Sequence, residues 1–158
     1  MRKAIALIVI GLIAGVGLAA AADSDTAKEV KETIKANFAQ TNETGMGVAG
    51  SNSKDGTVEF WSSGGLMNWS SGDDPVGEWD SINLTPKHIK VITLVEGQAA
   101  VAMYYSEGSM KPKGAEFVSH YMTRVTEVYV KEDGGWKMRA AHWSPVAGGS
   151  GTSQTTID

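Results

Sequence analysis

An α+β fold, with a curved antiparallel sheet wrapped around an N-terminal helix to form a cone, follows from three features of this sequence. Residues 26–41 carry a single apolar stripe at helical spacing. The later segments alternate apolar and polar residues and are punctuated by short turn signals. The last two of them, HYMTRVTEVYVKEDGGWKMRAAHWSP over 120–145, form a hairpin long enough to need something to fold over. Strands that run on after one helix place helix and sheet in separate layers.

The first 22 residues stand apart from the fold. Arg2 and Lys3 precede an unbroken apolar run from Ala4 to Ala20, and Ala20, Ala21 and Ala22 supply small residues before Asp23. This is the pattern of a cleavable signal peptide, with the cut expected after Ala22 and a periplasmic or secreted destination. A transmembrane anchor is the alternative. Ala and Gly make the run only weakly lipophilic, however, and acidic Asp23 and Asp25 follow it instead of a basic stop-transfer cluster. No stable membrane anchor is expected after cleavage. One domain is expected over 23–146, and a polar Gly/Ser/Thr tail over 147–158.

The chain has 158 residues and a formal charge of −4, and an acidic balance disfavours nucleic acid as a partner. It contains no cysteine, so stability must come from burial, and thiol chemistry and cysteine metal sites are excluded.

Thr26 to Glu29 has the form of a capping box, and Ala27, Val30, Ile34 and Phe38 then recur on one face. The helix should end between Asn42 and Gly47. Thr57 to Ser62 reads as a short strand and Leu66 to Trp69 as its return, followed by a polar loop over 70–80 that holds Trp79. Ile89 to Val95 and Ala99 to Ser106 form a β-branched hairpin about Glu96, Gly97 and Gln98. Phe117 to Lys131 and Trp136 to Ser144 close the meander around an Asp-Gly-Gly turn.

The run T-R-V-T-x-V-x-x-K-x-D-G-G-W-K, with A-H-W-S after it, resembles the last two strands of the nuclear transport factor 2-like (NTF2-like) superfamily. It is especially similar to the SnoaL-like and ketosteroid-isomerase-like branch and to the association domain of calcium/calmodulin-dependent kinase II. The resemblance spans Ile89 to Ser144, with the helix matched by order. It implies an α+β cone with a pocket at its open end, and an arginine facing that pocket at the position of Arg124. The chain departs from the pattern in two places. Residues 42–57 are too rich in Gly, Asn and Ser for the family's further short helices, and the carboxyl acids of the steroid isomerases have no identified counterpart.

Arg124 is the first candidate, as an anchor for an anionic ligand group. A structural alternative pairs it with Glu127, Glu107 or Glu59. His120 lies on the same face, four residues earlier. If Lys131 pairs with Trp136, the pocket wall is His120, Met122, Arg124, Ala141 and Trp143. A one-residue slip instead brings in Ala140 and His142. Catalytic candidates are His120, His142 and Tyr104, each weighed against a plain packing role. A zinc site built from His88, His120 and His142 has no supporting spacing, so neither metal nor cofactor is expected.

The function expected is binding of a small, mostly apolar molecule with an anionic group. A cofactor-free isomerase, dehydratase or cyclase using His/Tyr chemistry is the alternative, and a ligand-free assembly module is a third reading. A homodimer is expected through the face carrying Tyr121, Val125 and Tyr129.

Overall fold

The computed structural model describes residues 23–146. The expected signal peptide and polar tail lie outside the described residues. One helix, α1 (Asp25–Thr44), precedes six strands: β1 (Thr57–Phe60), β2 (Asn68–Ser70), β3 (Trp79–Val95), β4 (Ala99–Pro112), β5 (Val118–Glu132) and β6 (Gly135–Pro145). They form a single sheet in the order β2-β1-β6-β5-β4-β3, in which only the β1–β6 pairing is parallel. Among the described residues no second helix follows α1, as the Gly- and Ser-rich run after it leads one to expect.

The apolar stripe of α1 does what its spacing implies: Ala27, Val30 and Ile34 are buried, and Phe38 packs against the same core. Gly45, at φ 69°, ends the helix in the left-handed conformation that glycine adopts without steric cost. The expected capping box does not form. Ser24 is the cap, and its hydroxyl accepts from the backbone N–H of Ala27 at 3.1 Å. With the helix starting earlier, Thr26 and Glu29 are free to bond to the sheet. The Thr26 hydroxyl and backbone N–H both donate to Glu96, at 2.9 and 3.0 Å, and the hydroxyl accepts from Gly97 N at 2.7 Å. The Glu29 carboxylate accepts from Lys131 Nζ at 2.6 Å and from the Trp136 indole at 2.8 Å. At the far end, the Asn42 amide both donates to and accepts from the backbone of Leu84, at 2.8 and 2.9 Å. The helix is thus tied to the β3–β4 turn, the β5–β6 turn and the middle of β3.

Strands β3 and β4 are longer than the sequence suggests. Trp79 to His88 belongs to β3 because β3 is an edge strand, where polar residues and Pro86 are tolerated. Register shifts interrupt β3–β4 at three places, β4–β5 between Gly108 and Met110, and β5–β6 between Val128 and Tyr129. Each adds local bend and twist, and together they curve the sheet around α1. His88 sits in one of these irregularities at φ 56°.

Gly108 marks the tightest approach. A Cβ at this position would lie 1.9 Å from the carbonyl oxygen of Asn83, a backbone atom that cannot move without opening the β3–β4 pair. Gly108→Ala should therefore lower the unfolding free energy by about 3 kcal/mol, at the upper end for single substitutions. Urea denaturation followed by circular dichroism reads this directly. A loss below about 1 kcal/mol would mean that the bend does not depend on this contact.

Candidate functional site

The alternation of β5 decides which groups meet inside the cone. Tyr121, Thr123, Val125, Glu127 and Tyr129 are buried on the concave face, whereas His120 and Arg124 are exposed on the convex one. This reverses the orientation expected from the sequence. Each set mixes valine with charged or titratable groups (Val125 and Glu127 against Val128, His120 and Arg124), so period-two alternation alone cannot tell inside from outside. The large apolar area of the two tyrosines determines which set turns inward.

The expected site residues therefore separate. Arg124 lies outside the cavity, and its guanidinium donates to the Pro145 carbonyl at 3.1 Å instead of pairing with a glutamate. His120 and Met122 share that outer face. His142 is also exposed, with its ring set edge-on to Phe60 at 5.7 Å. Tyr104 and Trp143 do line the cavity.

Trp143 turns inward because the hairpin uses both registers considered for it. Lys131 pairs with Trp136 next to the turn, as expected. The shift at Val128/Tyr129 then leaves Arg139 unpaired, so that Val125, and not Arg124, stands opposite Trp143. Tyr121, Val125 and Tyr129 consequently face the core and cannot form the expected dimer face.

The cavity has a volume of about 700 Å³. Phe38 from α1, Tyr104 from β4 and Trp143 from β6 form one corner of it, with ring centroids 5.9 to 6.4 Å apart. Trp61 and Trp69, both exposed, line the side toward solvent, and half-buried Trp79 lines the cavity while packing against the buried Leu84, Met110 and Tyr121. The loops after α1 and before β3 hold one another there: Gly47 N donates to the Gly77 carbonyl and Trp79 N to the Gly45 carbonyl, both at 2.9 Å.

Glu127 is the group that the sequence reading missed as a pocket residue. It is 4% exposed. The Tyr129 hydroxyl donates to it at 2.8 Å, and Tyr104 is hydrogen-bonded to the same carboxyl. Burial pushes its pKa from 4.5 up to about 7, opposed by these two hydrogen bonds and assisted by the charge of Glu59. Burial likewise raises both tyrosines well above the ordinary phenol range, so they remain protonated donors. Glu59 is also raised by burial, although the Trp61 indole, donating at 3.0 Å, opposes the effect.

Pairing places these carboxyls in one row. Glu59 and Glu127 each stand opposite Ala141, on either side of it. That puts their backbones two strand spacings apart, about 10 Å, with only a methyl group between them. Ala102 flanks Glu127 on its other side. A carboxyl that titrates near neutrality beside two phenols can accept a hydrogen bond, donate one or exchange a proton with a bound molecule.

No protein-family profile matches the chain, and no curated protein sequence matches it. Solved structures do. An NTF2-like protein of unknown function from Prochlorococcus superposes with a TM-score of 0.55 at 20% identity, covering 84% of this chain and 97% of that one. A chain assigned as a calcium/calmodulin-dependent kinase II association domain from Exiguobacterium sibiricum superposes with a TM-score of 0.50 at 14% identity, covering 80% and 97%. The fold is the NTF2-like α+β cone.

The buried carboxyl makes stability depend on pH with a definite sign. Between pH 4.5 and about 7 the folded chain keeps a proton on Glu127 that the unfolded chain has lost. Its contribution to stability therefore falls as pH rises through that window and stays lost above it, a difference of about 3 kcal/mol. The carboxylates held below their usual range, such as Glu29, Glu107 and Glu132, act in the opposite direction at lower pH. Glu127→Gln should match the wild type near pH 5 and exceed its stability at pH 8, in urea denaturation across pH. Parallel curves for the two proteins would show that the carboxyl ionises without penalty.

Proposed function

We propose that this NTF2-like cone is a small-molecule-binding domain whose ligand lies among Phe38, Tyr104, Trp143 and the rim tryptophans, against Glu127. One observation carries this reading: a cavity of ligand size, about 700 Å³, has a buried, titratable carboxyl in its wall. Burying that group lowers stability without aiding packing, as expected of a group retained for a ligand. The ligand is mostly apolar. An anionic anchor at Arg124 drops out, since that guanidinium lies outside the cavity. The leader sequence supports export to the periplasm or the exterior.

A specific observation also favours the catalytic reading. Glu127 has the pKa of an effective general base at neutral pH, with Tyr104 and Tyr129 as neighbouring proton donors. A cofactor-free isomerase, dehydratase or cyclase would use Glu127 where the sequence pointed to His120 or His142.

The outer sheet face supports self-association. Ile92, Leu94, Met103 and Tyr105 are between 40% and 57% exposed, and half-buried Val101 and Val128 pair on the same face. A homodimer through this face replaces the one drawn through Tyr121, Val125 and Tyr129.

Two measurements test these readings. Native mass spectrometry of freshly purified protein, with a thermal-shift panel of neutral, acidic and basic organic molecules, should find a ligand that raises the melting temperature by mass action. Ala141→Phe, verified as folded by circular dichroism, should lose most of that shift. No response to any class, or an undiminished response in the variant, counts against the pocket. Light scattering should give a dimer mass that falls to that of a monomer in the Met103→Lys, Ile92→Lys double variant. A wild-type monomer at micromolar concentration removes the dimer.

A further inference from the structure

Resting on the reading of the cone as a ligand pocket, we infer that its ligand class is organic cations: molecules carrying an ammonium group, protonated or quaternary, on an apolar body. The charges of the lining point one way. Among the described residues, Glu59, Asp74, Glu78 and Glu127 contribute carboxyls, and Lys113 contributes the only basic group in the lining. That lysine is engaged by Glu78 in an exposed ion pair. Among the described residues no arginine and no histidine lines the cavity. Arg124 is on the outer face, and Arg139 donates to the Gly56 carbonyl at 2.9 Å. An acidic ligand would enter a hollow of its own sign with no counter-charge to meet it.

The walls supply the second half of the recognition. Four of the five tryptophans, Trp61, Trp69, Trp79 and Trp143, line the cavity, and aromatic faces attract cations through their quadrupoles, most strongly when water is excluded. The Trp61 indole is bonded to Glu59 at 3.0 Å, which holds a ring and a carboxyl side by side. The Phe38, Tyr104 and Trp143 rings meet edge-on or tilted, leaving a wall of mixed faces and edges beside Glu127. Both glutamates line the cavity, and the one residue between them across the strands, Ala141, contributes only a methyl group, so an ammonium in the cavity would lie within reach of both. Binding would then compensate the cost of burying Glu127 in its charged form.

The groups facing Glu127 set the sign of the pH response. Tyr129 lies on its own strand, Tyr104 on β4 and Glu59 on β1, while α1 lines the cavity with the uncharged Ile34, Asn37, Phe38, Thr41 and Asn42, and β6 with Met138 and Trp143. A cation should bind more tightly as pH rises and Glu127 ionises. A neutral ligand that accepts a hydrogen bond from the protonated acid should bind more tightly as pH falls.

The test uses the tryptophan fluorescence of the intact protein, titrated at pH 6 and pH 8 with three probes of similar size. These are benzyltrimethylammonium, its neutral carbon isostere neopentylbenzene, and 4-phenylbutyrate. The quaternary probe has no titration of its own, so any pH dependence belongs to the protein. At pH 8 it should bind at least tenfold more tightly than either other probe, and it should weaken severalfold at pH 6. Glu127→Gln should lose at least tenfold of that affinity together with the pH dependence, while binding of the isostere is unchanged. Glu59→Gln, at a partly exposed position, should lose severalfold and covers the case in which the first variant fails to fold. Equal or tighter binding of the isostere or of phenylbutyrate overturns the cation assignment and leaves the pocket reading standing. So does undiminished cation binding in the variants. Failure of all three probes overturns the assignment, and joined to a silent thermal-shift panel it overturns the pocket reading as well.

Discussion

A single helix cannot cover the whole concave face of this sheet, and the cavity is the consequence. Twenty residues of α1 span about 30 Å, whereas the 17 residues of β3, if straight, would run to about 56 Å. The bonds from Thr26 to Glu96 and from Glu29 to Lys131 and Trp136 fix the helix at the end where the long strands turn. There Ala100 and Ala102 allow it to approach the sheet closely, and the core is closed. Beyond Thr44, among the described residues, no further helix continues the cover, and loops bearing tryptophans take over. The position of the hollow follows from where the helix is anchored and where it stops.

Glu127 sits at the boundary between these two regions. Ala102 and Ala141 flank it across the strands, and neither supplies a hydrogen bond or fills the space around the carboxyl. Tyr129 and Tyr104 do supply hydrogen bonds, which limits the penalty of burial without removing it. A glutamine would make comparable contacts without the charge, so packing alone gives no reason for a carboxyl here. The chemistry of the pocket gives one, because an acid that titrates near neutrality can change its charge when a ligand arrives.

The sequence made the architecture legible for identifiable physical reasons. The stripe of Ala27, Val30, Ile34 and Phe38 admits one reading, and the strands from Ile89 onward alternate cleanly between turns. The segment before Ile89 was obscured because β3 is an edge strand, where Asp80, Asn83 and Lys87 meet water and no apolar run signals pairing. The capping box was a real local signal overridden by tertiary partners. The site was harder to see. On β5 the choice between Arg124 and Glu127 as the inward charge rests on which set of alternating residues turns toward the helix, and valines occur in both. Reading Tyr121 and Tyr129 as core aromatics, not as a dimer face, would have selected the correct set and exposed Glu127 as the buried acid.

The bulge opposite Val128 and Tyr129 has a consequence that no alternation pattern could have revealed. Had the register of the β5–β6 turn continued along the hairpin, Trp143 would have paired with Arg124 on the outside, and His142 would have faced the cavity. One unpaired residue at Arg139 exchanges them, and the Arg139 side chain, bonded to the Gly56 carbonyl, secures the irregularity from the neighbouring loop. The exchange puts a large indole beside Phe38 and Tyr104 and moves an imidazole out to Phe60. It also keeps the His142 imidazole off the cavity wall and leaves it exposed on the convex face with Arg124 and His120. A local backbone irregularity, more than the composition of the strands, thus separates an acidic, aromatic interior from a basic and apolar exterior.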